Sequence, residues 1–197
     1  MGPLELLLAE SQRIGLIGPG DLGTAIGQAR AFAEALPPDV RRLVDVGSGG
    51  GLPGLVVLAD RPDIDVTLVD RKERSCDVLR RAVRALGAMD RARVVLADLE
   101  TLGQDPVWRG AFDAATARGV ASPAEVAELV LPLVRPGGIL VVSVAGAGEA
   151  WPDDGLARLG ATVRRREAGL MVVEAGDCPS VFPRRRRVPA VFDGGPQ

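Results

Sequence analysis

The chain contains no histidine. That absence excludes imidazole acid–base catalysis and histidine-ligated metal centres. Cysteine is nearly as scarce: Cys76 and Cys178, far apart in 197 residues, make neither a disulfide framework nor a metal site. They read as a small buried residue and an incidental tail thiol. Aromatic residues are 3% of the chain against 47% hydrophobic residues overall, so strands and helices must pack through Val, Leu and Ala. No apolar run is long enough to cross a membrane. The N-terminal apolar stretch is interrupted by Glu5 and too short for a secretory signal. A soluble, reduced, cytoplasmic protein is the reading. The formal net charge of −2 rules out a polycation. Basic residues are nevertheless clustered late in the chain, at Arg164–Arg166 and Arg184–Arg187, where a local patch can bind phosphate or lie as a solvated face.

The length suits one domain with short extensions: a helical segment over residues 1–38, a main domain over 39–178 and a Pro/Arg-rich tail over 179–197. Periodicity predicts helices over 4–12 and 24–36, the second stopped by Pro37-Pro38. Strands then alternate with helices: strands at 42–47, 64–70, 92–97, 111–117 and 138–145, helices at 53–60, 72–87, 101–108 and 123–135. Pro136-Gly137-Gly138 reads as a tight turn feeding the fifth strand. Such alternation implies βαβ units and a parallel sheet covered on both faces. After a short helix near 153–160, apolar stretches at Thr162-Val163 and 170–174 are too close for a helical crossover and predict an antiparallel hairpin. The fold class is therefore α/β: a doubly wound, mostly parallel, seven-stranded sheet with a C-terminal antiparallel hairpin.

Two segments match G-x-G-x-x-G, Gly18-Pro-Gly-Asp-Leu-Gly23 and Gly49-Gly-Gly-Leu-Pro-Gly54. The bare pattern is weak without its strand-to-helix context. Pro19 lacks an N–H that a pyrophosphate would use, and the first segment reads best as a turn between helices. The second follows the strand Leu43–Val46 and is preceded by Asp45, while Asp70 ends the next strand. An acid about 20 residues beyond such a loop is placed to accept from ribose hydroxyls. A dinucleotide would ask the loop to neutralise phosphate. S-adenosylmethionine has no phosphate and needs a carboxylate near its cationic amino group, a role that suits Asp45. Asp98, after the third strand, can accept from an adenine amino group or cap the next helix.

The stretch Asp45-Val-Gly-Ser-Gly-Gly-Gly-Leu-Pro-Gly54 resembles the glycine loop of the RsmG (GidB) methyltransferases. Phe112 to Gly138, including Arg118, is similar to their fourth strand and following helix, and Phe182-Pro-Arg-Arg185 to their C-terminal aromatic-Pro-Arg-Arg element. The resemblance implies a Rossmann-like class I methyltransferase that transfers a methyl group from S-adenosyl-L-methionine to guanine N7 of small-subunit ribosomal RNA. It implies cofactor contacts at Asp45, Gly47, Ser48, Gly49, Gly51, Leu52, Asp70, Arg71, Asp98, Leu99 and Arg118. RNA contacts would come from Arg118, Arg184 and Arg185. The family's His and Asp before the first strand are absent from Ile26–Ala31, its fifth-strand Lys-Gly is Ala145-Gly146, and Asp98 stands where a basic residue is usual.

N7 methylation requires no general base, because the ring lone pair attacks the sulfonium methyl directly. A chain without histidine suits it. The residues assign no catalytic side chain. Arg118 is open to an RNA phosphate, a cofactor carboxylate or a surface ion pair. Arg184 and Arg185 are open to RNA contact or to a solvated tail. The partners implied are ribosomal RNA or the small subunit, with no metal, no membrane and a monomeric state favoured. The alternatives are a diverged methyltransferase acting on a small molecule and a non-catalytic cofactor or RNA binder.

Overall fold

The computed structural model describes residues 2–144, 153–167 and 169–184. Helices α1 (Pro3–Arg13) and α2 (Leu22–Ala35) precede β1 (Arg42–Val46). Then come α3 (Gly54–Asp60), β2 (Asp65–Asp70), α4 (Glu73–Ala85), β3 (Ala92–Leu96), α5 (Leu99–Gln104), β4 (Phe112–Ala117) and α6 (Pro123–Val130). A 3-10 turn (Leu131–Leu133) leads into β5 (Val134–Ser143), followed by α7 (Asp153–Arg158), β6 (Ala161–Glu167) and β7 (Leu170–Ala175). The seven strands form one sheet in the order β3-β2-β1-β4-β5-β7-β6. β1 to β5 are mutually parallel, while β7 runs antiparallel to both β5 and β6. The order reverses between β1 and β4, and beyond the carboxyl ends of those strands lies the crevice where open α/β sheets bind ligands.

Alternating strand residues supply two cores. Leu43, Leu68, Ala114 and Val141 pack with Leu8, Phe32, Leu55 and Leu79 on one face. On the other, Val44, Val69, Ala115 and Leu140 pack with Leu131, Leu133, Leu156 and Phe182. Local sequence sets most boundaries. The Asp21 carboxylate accepts the Thr24 amide at 2.7 Å to start α2, and a Ser122–Glu125 capping box starts α6. At the amino edge, Asp113 Oδ2 accepts the Arg41 and Arg42 amides at 3.0 and 2.8 Å, and Oδ1 accepts from Arg135 at 2.8 Å. One carboxylate thus joins β1, β4 and β5.

Four sequence expectations differ in extent. The helix expected over 101–108 is α5, which ends at Gln104 because Pro106 cannot continue it. The helix expected over 123–135 stops at Val130, and Pro132 lies in the 3-10 turn. β5 consequently starts at Val134, and its register against β4 shifts before Ile139 pairs with Ala114. The late strand expected at 162–163 extends over Ala161–Glu167, so Arg164–Arg166 are strand residues. Arg164 pairs with Glu174 at 2.8 Å and Arg165 with Glu167 at 3.0 Å.

Leu68 is fully buried and packs beneath Gly54, at the loop that follows β1. Truncation by Leu68→Ala is expected to cost about 2–5 kcal/mol, the usual range for a buried leucine. Urea unfolding measures it, and a loss under about 1 kcal/mol would show that this contact does not support the loop.

Candidate cofactor site

The chain leaves β1 through a loop that side chains could not follow. Gly47, Gly49 and Gly51 have φ of 63°, 50° and 106°, the left-handed region that glycine enters freely. At Gly51 a Cβ would also lie 2.4 Å from Leu55 Cδ1. Three of the loop amides are engaged within the protein. Ser48 N–H donates to Val69 O at 3.0 Å and Gly51 N–H to Ser48 O at 2.7 Å. Gly49 N–H donates to Asp70 Oδ2 at 2.8 Å. Ser48 Oγ turns inward onto the Asp45 carbonyl at 2.8 Å, and Leu52 is buried.

Asp70 ends β2 at the crevice and keeps 8% exposure. Its second oxygen accepts the Lys72 amide at 2.8 Å. Each carboxylate oxygen has lone-pair capacity for a further donor, so Asp70 can hold the loop and still receive two hydroxyls. Arg71 follows it and is exposed. Asp98 occupies the N-cap position of α5 but makes no side-chain cap hydrogen bond. Of its two sequence-level roles, the cap lacks the bond that would define it, and the exposed carboxylate faces solvent beside buried Leu99. Arg118, one residue past β4, is half-buried. It reaches back to α2, with Nη2 3.2 Å from Gln28 Oε1 and Nη1 3.5 Å from the Ala25 carbonyl. Burial lowers its pKa, and it forms no ion pair among the described residues.

Asp45 sits under the loop rather than in its open face. Its side chain is fully buried. Oδ1 accepts from Thr116 Oγ1 at 2.7 Å, while Oδ2 has no hydrogen-bond partner among the described residues and points at Gly54. Burial pushes its pKa up to about 6. The Thr116 hydroxyl, Ser48 and the Gly54 amide pull it back, and the Asp70 charge pushes it further.

Several neighbours escaped the sequence reading. Thr116 meets Asp45 because β1 and β4 pair in register at these positions. A lone hydroxyl in Phe112–Ala117 was the available signal. Val120 closes on Gly47, and Leu16 and Ile17 rest on Gly50, where a Cβ would meet Ile17 Cγ1 at 2.5 Å. The first glycine motif thus spans the turn between α1 and α2 and the start of α2, and the Leu16-Ile17 pair just before it packs on the second. Cys76 is buried behind Asp70, its thiol 3.5 Å from the Asp70 carbonyl. Arg184 is not solvated: its guanidinium pairs with Glu128 of α6 at 2.7 Å. Arg185 and Ala145-Gly146 lie outside the described residues. Among the described residues no cluster of acids and cysteines could hold a metal ion, and no helix is long and apolar enough to cross a membrane.

The raised pKa of Asp45 has a stability consequence of definite sign. Between about pH 4 and pH 6 the folded state holds a proton that the unfolded state releases. The contribution of this carboxyl is therefore present below its ordinary pKa and lost as pH rises through about 6. A displacement of that size corresponds to about 3 kcal/mol at most. Asp45→Asn, which cannot ionise, is expected to gain stability relative to wild type as pH rises from 4 to 7. Urea melts of both proteins across that range measure the difference. A difference that stays flat would show that Asp45 is not buried in this way.

The family model described as rRNA small subunit methyltransferase G (GidB) matches residues 4–148. A ribosomal RNA small subunit methyltransferase G of Prochlorococcus marinus (strain MIT 9313) is 34% identical over 168 residues, covering 76% of this chain and 66% of the relative. The same-named protein of Synechococcus sp. (strain WH7803) is 46% identical over 98 residues, covering 50% of this chain and 39% of the relative. The chain thus spans just under two thirds of the first of these relatives and less of the second. Among solved structures, a methyltransferase from Geobacter sulfurreducens superposes with a TM-score of 0.63 at 16% identity, covering 90% of both chains, a likeness of fold. Strand order, loop and family match agree, and the chain belongs to the rRNA small subunit methyltransferase G (GidB) family.

Proposed function

We propose that this chain is an S-adenosylmethionine-dependent methyltransferase that modifies guanine N7 in small-subunit ribosomal RNA. The observation that carries the cofactor assignment is the Gly49–Asp70 hydrogen bond. A phosphate-binding loop aims free amides at an anion. Here a carboxylate of the protein takes the Gly49 amide, and the Ser48 and Gly51 amides are turned onto carbonyls. Amides already engaged in this way are not free to receive a pyrophosphate, which supports a cofactor without one and with a cationic reactive end.

In this reading Asp70 receives the ribose hydroxyls, Asp98 and Leu99 border the adenine, and Gly47–Leu52 line the amino-acid portion. Arg71 and Arg118 flank the crevice, Arg118 facing either the cofactor carboxylate or an RNA phosphate. Asp45 acts from beneath, with Thr116, to hold the loop in shape. When bound, the cofactor supplies an electrophilic methyl group. The protein's work is to align the base in line with it and exclude water, and no side chain need remove a proton. The family match and the names of the relatives support RNA as substrate. Such a partner supports a cytoplasmic location. The α2 segment that lacks the family's His and Asp presents Gln28 to Arg118 instead, which favours keeping a small-molecule substrate as the second reading.

Calorimetry is expected to show S-adenosylhomocysteine binding and no NAD binding. Asp70→Asn should weaken the former by about 10- to 100-fold, the loss of one or two hydrogen bonds to a charged acceptor. Labelled methyl groups should pass to small subunits or naked ribosomal RNA rather than to a metabolite extract. Binding of NAD alone would remove the cofactor assignment, and labelling confined to metabolites would remove the RNA.

A further inference from the structure

The turn between α1 and α2, which carries the start of the first glycine motif, is fastened from three places. The carbonyl of Ser11, itself a buried residue, accepts the Leu16 amide at 2.9 Å and the Ile17 amide at 3.3 Å. Gln12 Nε2 uses both its hydrogens, donating to Gly18 O and Gly20 O at 3.0 Å each. From the first turn of α4, Arg74 Nη2 donates to Ile14 O at 2.8 Å. That helix starts where Asp70 accepts the Lys72 amide, so the turn is tied to the same edge as the glycine loop.

The fastening delivers Leu16 and Ile17 to that loop. A Cβ at Gly50 would stand 2.5 Å from Ile17 Cγ1 and 3.0 Å from the Leu16 carbonyl oxygen. One at Gly49 would stand 3.7 Å from the same oxygen. Leu16 O accepts no hydrogen bond among the described residues. The turn therefore brings an unused backbone acceptor to the stretch that lines the cofactor's amino-acid portion in the reading above. The ammonium group is the hydrogen-bond donor that this portion offers.

We propose that residues 14–20 form a wall of the subsite for the cofactor's amino-acid portion, with Gln12 as the positioning residue of that wall. Gln12 acts through the turn: it pins Gly18 and Gly20, and the turn holds Leu16 and Ile17 against Gly49 and Gly50. The inference rests on the S-adenosylmethionine reading and concerns affinity for the cofactor, not the transfer step. Gln12 and Ile17 are half-buried and lie outside the fully buried core, so both can be changed with the sheet intact.

The test is calorimetry on the full chain with two ligands, S-adenosylhomocysteine and 5′-methylthioadenosine, which keeps the adenosine and the sulfur but lacks the amino-acid portion. Gln12→Glu preserves side-chain size and removes the N–H donors. It is expected to weaken S-adenosylhomocysteine about tenfold, the scale of one hydrogen bond, and to leave methylthioadenosine within about twofold of wild type. Gln12→Lys, which restores a donor, should recover most of the loss. Ile17→Ala, which uncovers Gly50 and leaves Gln12 in place, should show the same selectivity between the ligands. Gln12→Leu removes the donors without adding charge and supplies the same reading if Gln12→Glu does not fold. Equal weakening of both ligands would overturn the proposal by assigning the turn to stability alone, as would unchanged binding of both in the Gln12 and Ile17 variants. A wild type that binds neither ligand would instead strike the S-adenosylmethionine reading, and this inference with it.

Discussion

The bond between the Gly49 amide and the Asp70 carboxylate is the constraint on which the cofactor edge depends. It ties the loop after β1 to the end of β2, and through Oδ1 it also sets the start of α4 at Lys72. One carboxylate therefore shapes three segments at the place where the sheet opens. Because it is an anion that occupies a loop amide, it is also the basis of the proposed ligand class. Its remaining lone pairs are open to hydroxyl donors.

Beneath that edge lies a less favourable feature. Asp45 is fully buried with one oxygen unpartnered, and burial moves its pKa up to about 6. Such local conflicts concentrate at functional sites, and this one stands directly under the glycines. Thr116 supplies the partial compensation, from a strand 71 residues away in sequence. The same edge is crowded from two further directions, by Leu16 and Ile17 over Gly50 and by Val120 against Gly47. The glycines are needed as much for these close approaches as for their backbone angles.

Proline and arginine have divided roles elsewhere. Pro106 and Pro132 each shorten a helix, and the second lets β5 begin early, an effect visible in the sequence that periodicity alone overrode. The two arginine clusters look alike as strings yet differ in structure. Arg164 and Arg165 pair with acids on an edge hairpin, whereas Arg184 closes the segment 178–184, which Arg109 and Glu128 hold. Arg109 itself stands out in no pattern, since its four acceptors are backbone carbonyls, three of them some 70 residues downstream.

The sequence by itself determined the alternation of strands and helices, the closing hairpin, the glycine turn and the acids that flank it. These are signals of period and spacing, carried by residues near one another in the chain. Only the tertiary structure decided what the polar groups do. It buried the Asp45 carboxylate beneath the loop, left Asp98 without a cap bond, turned Arg118 towards Gln28 and gave Arg184 an internal partner. The physical reason is that a carboxylate or guanidinium takes its role from whichever donor or acceptor lies within about 3 Å. In this fold that partner is set by strand register and helix packing across the sheet.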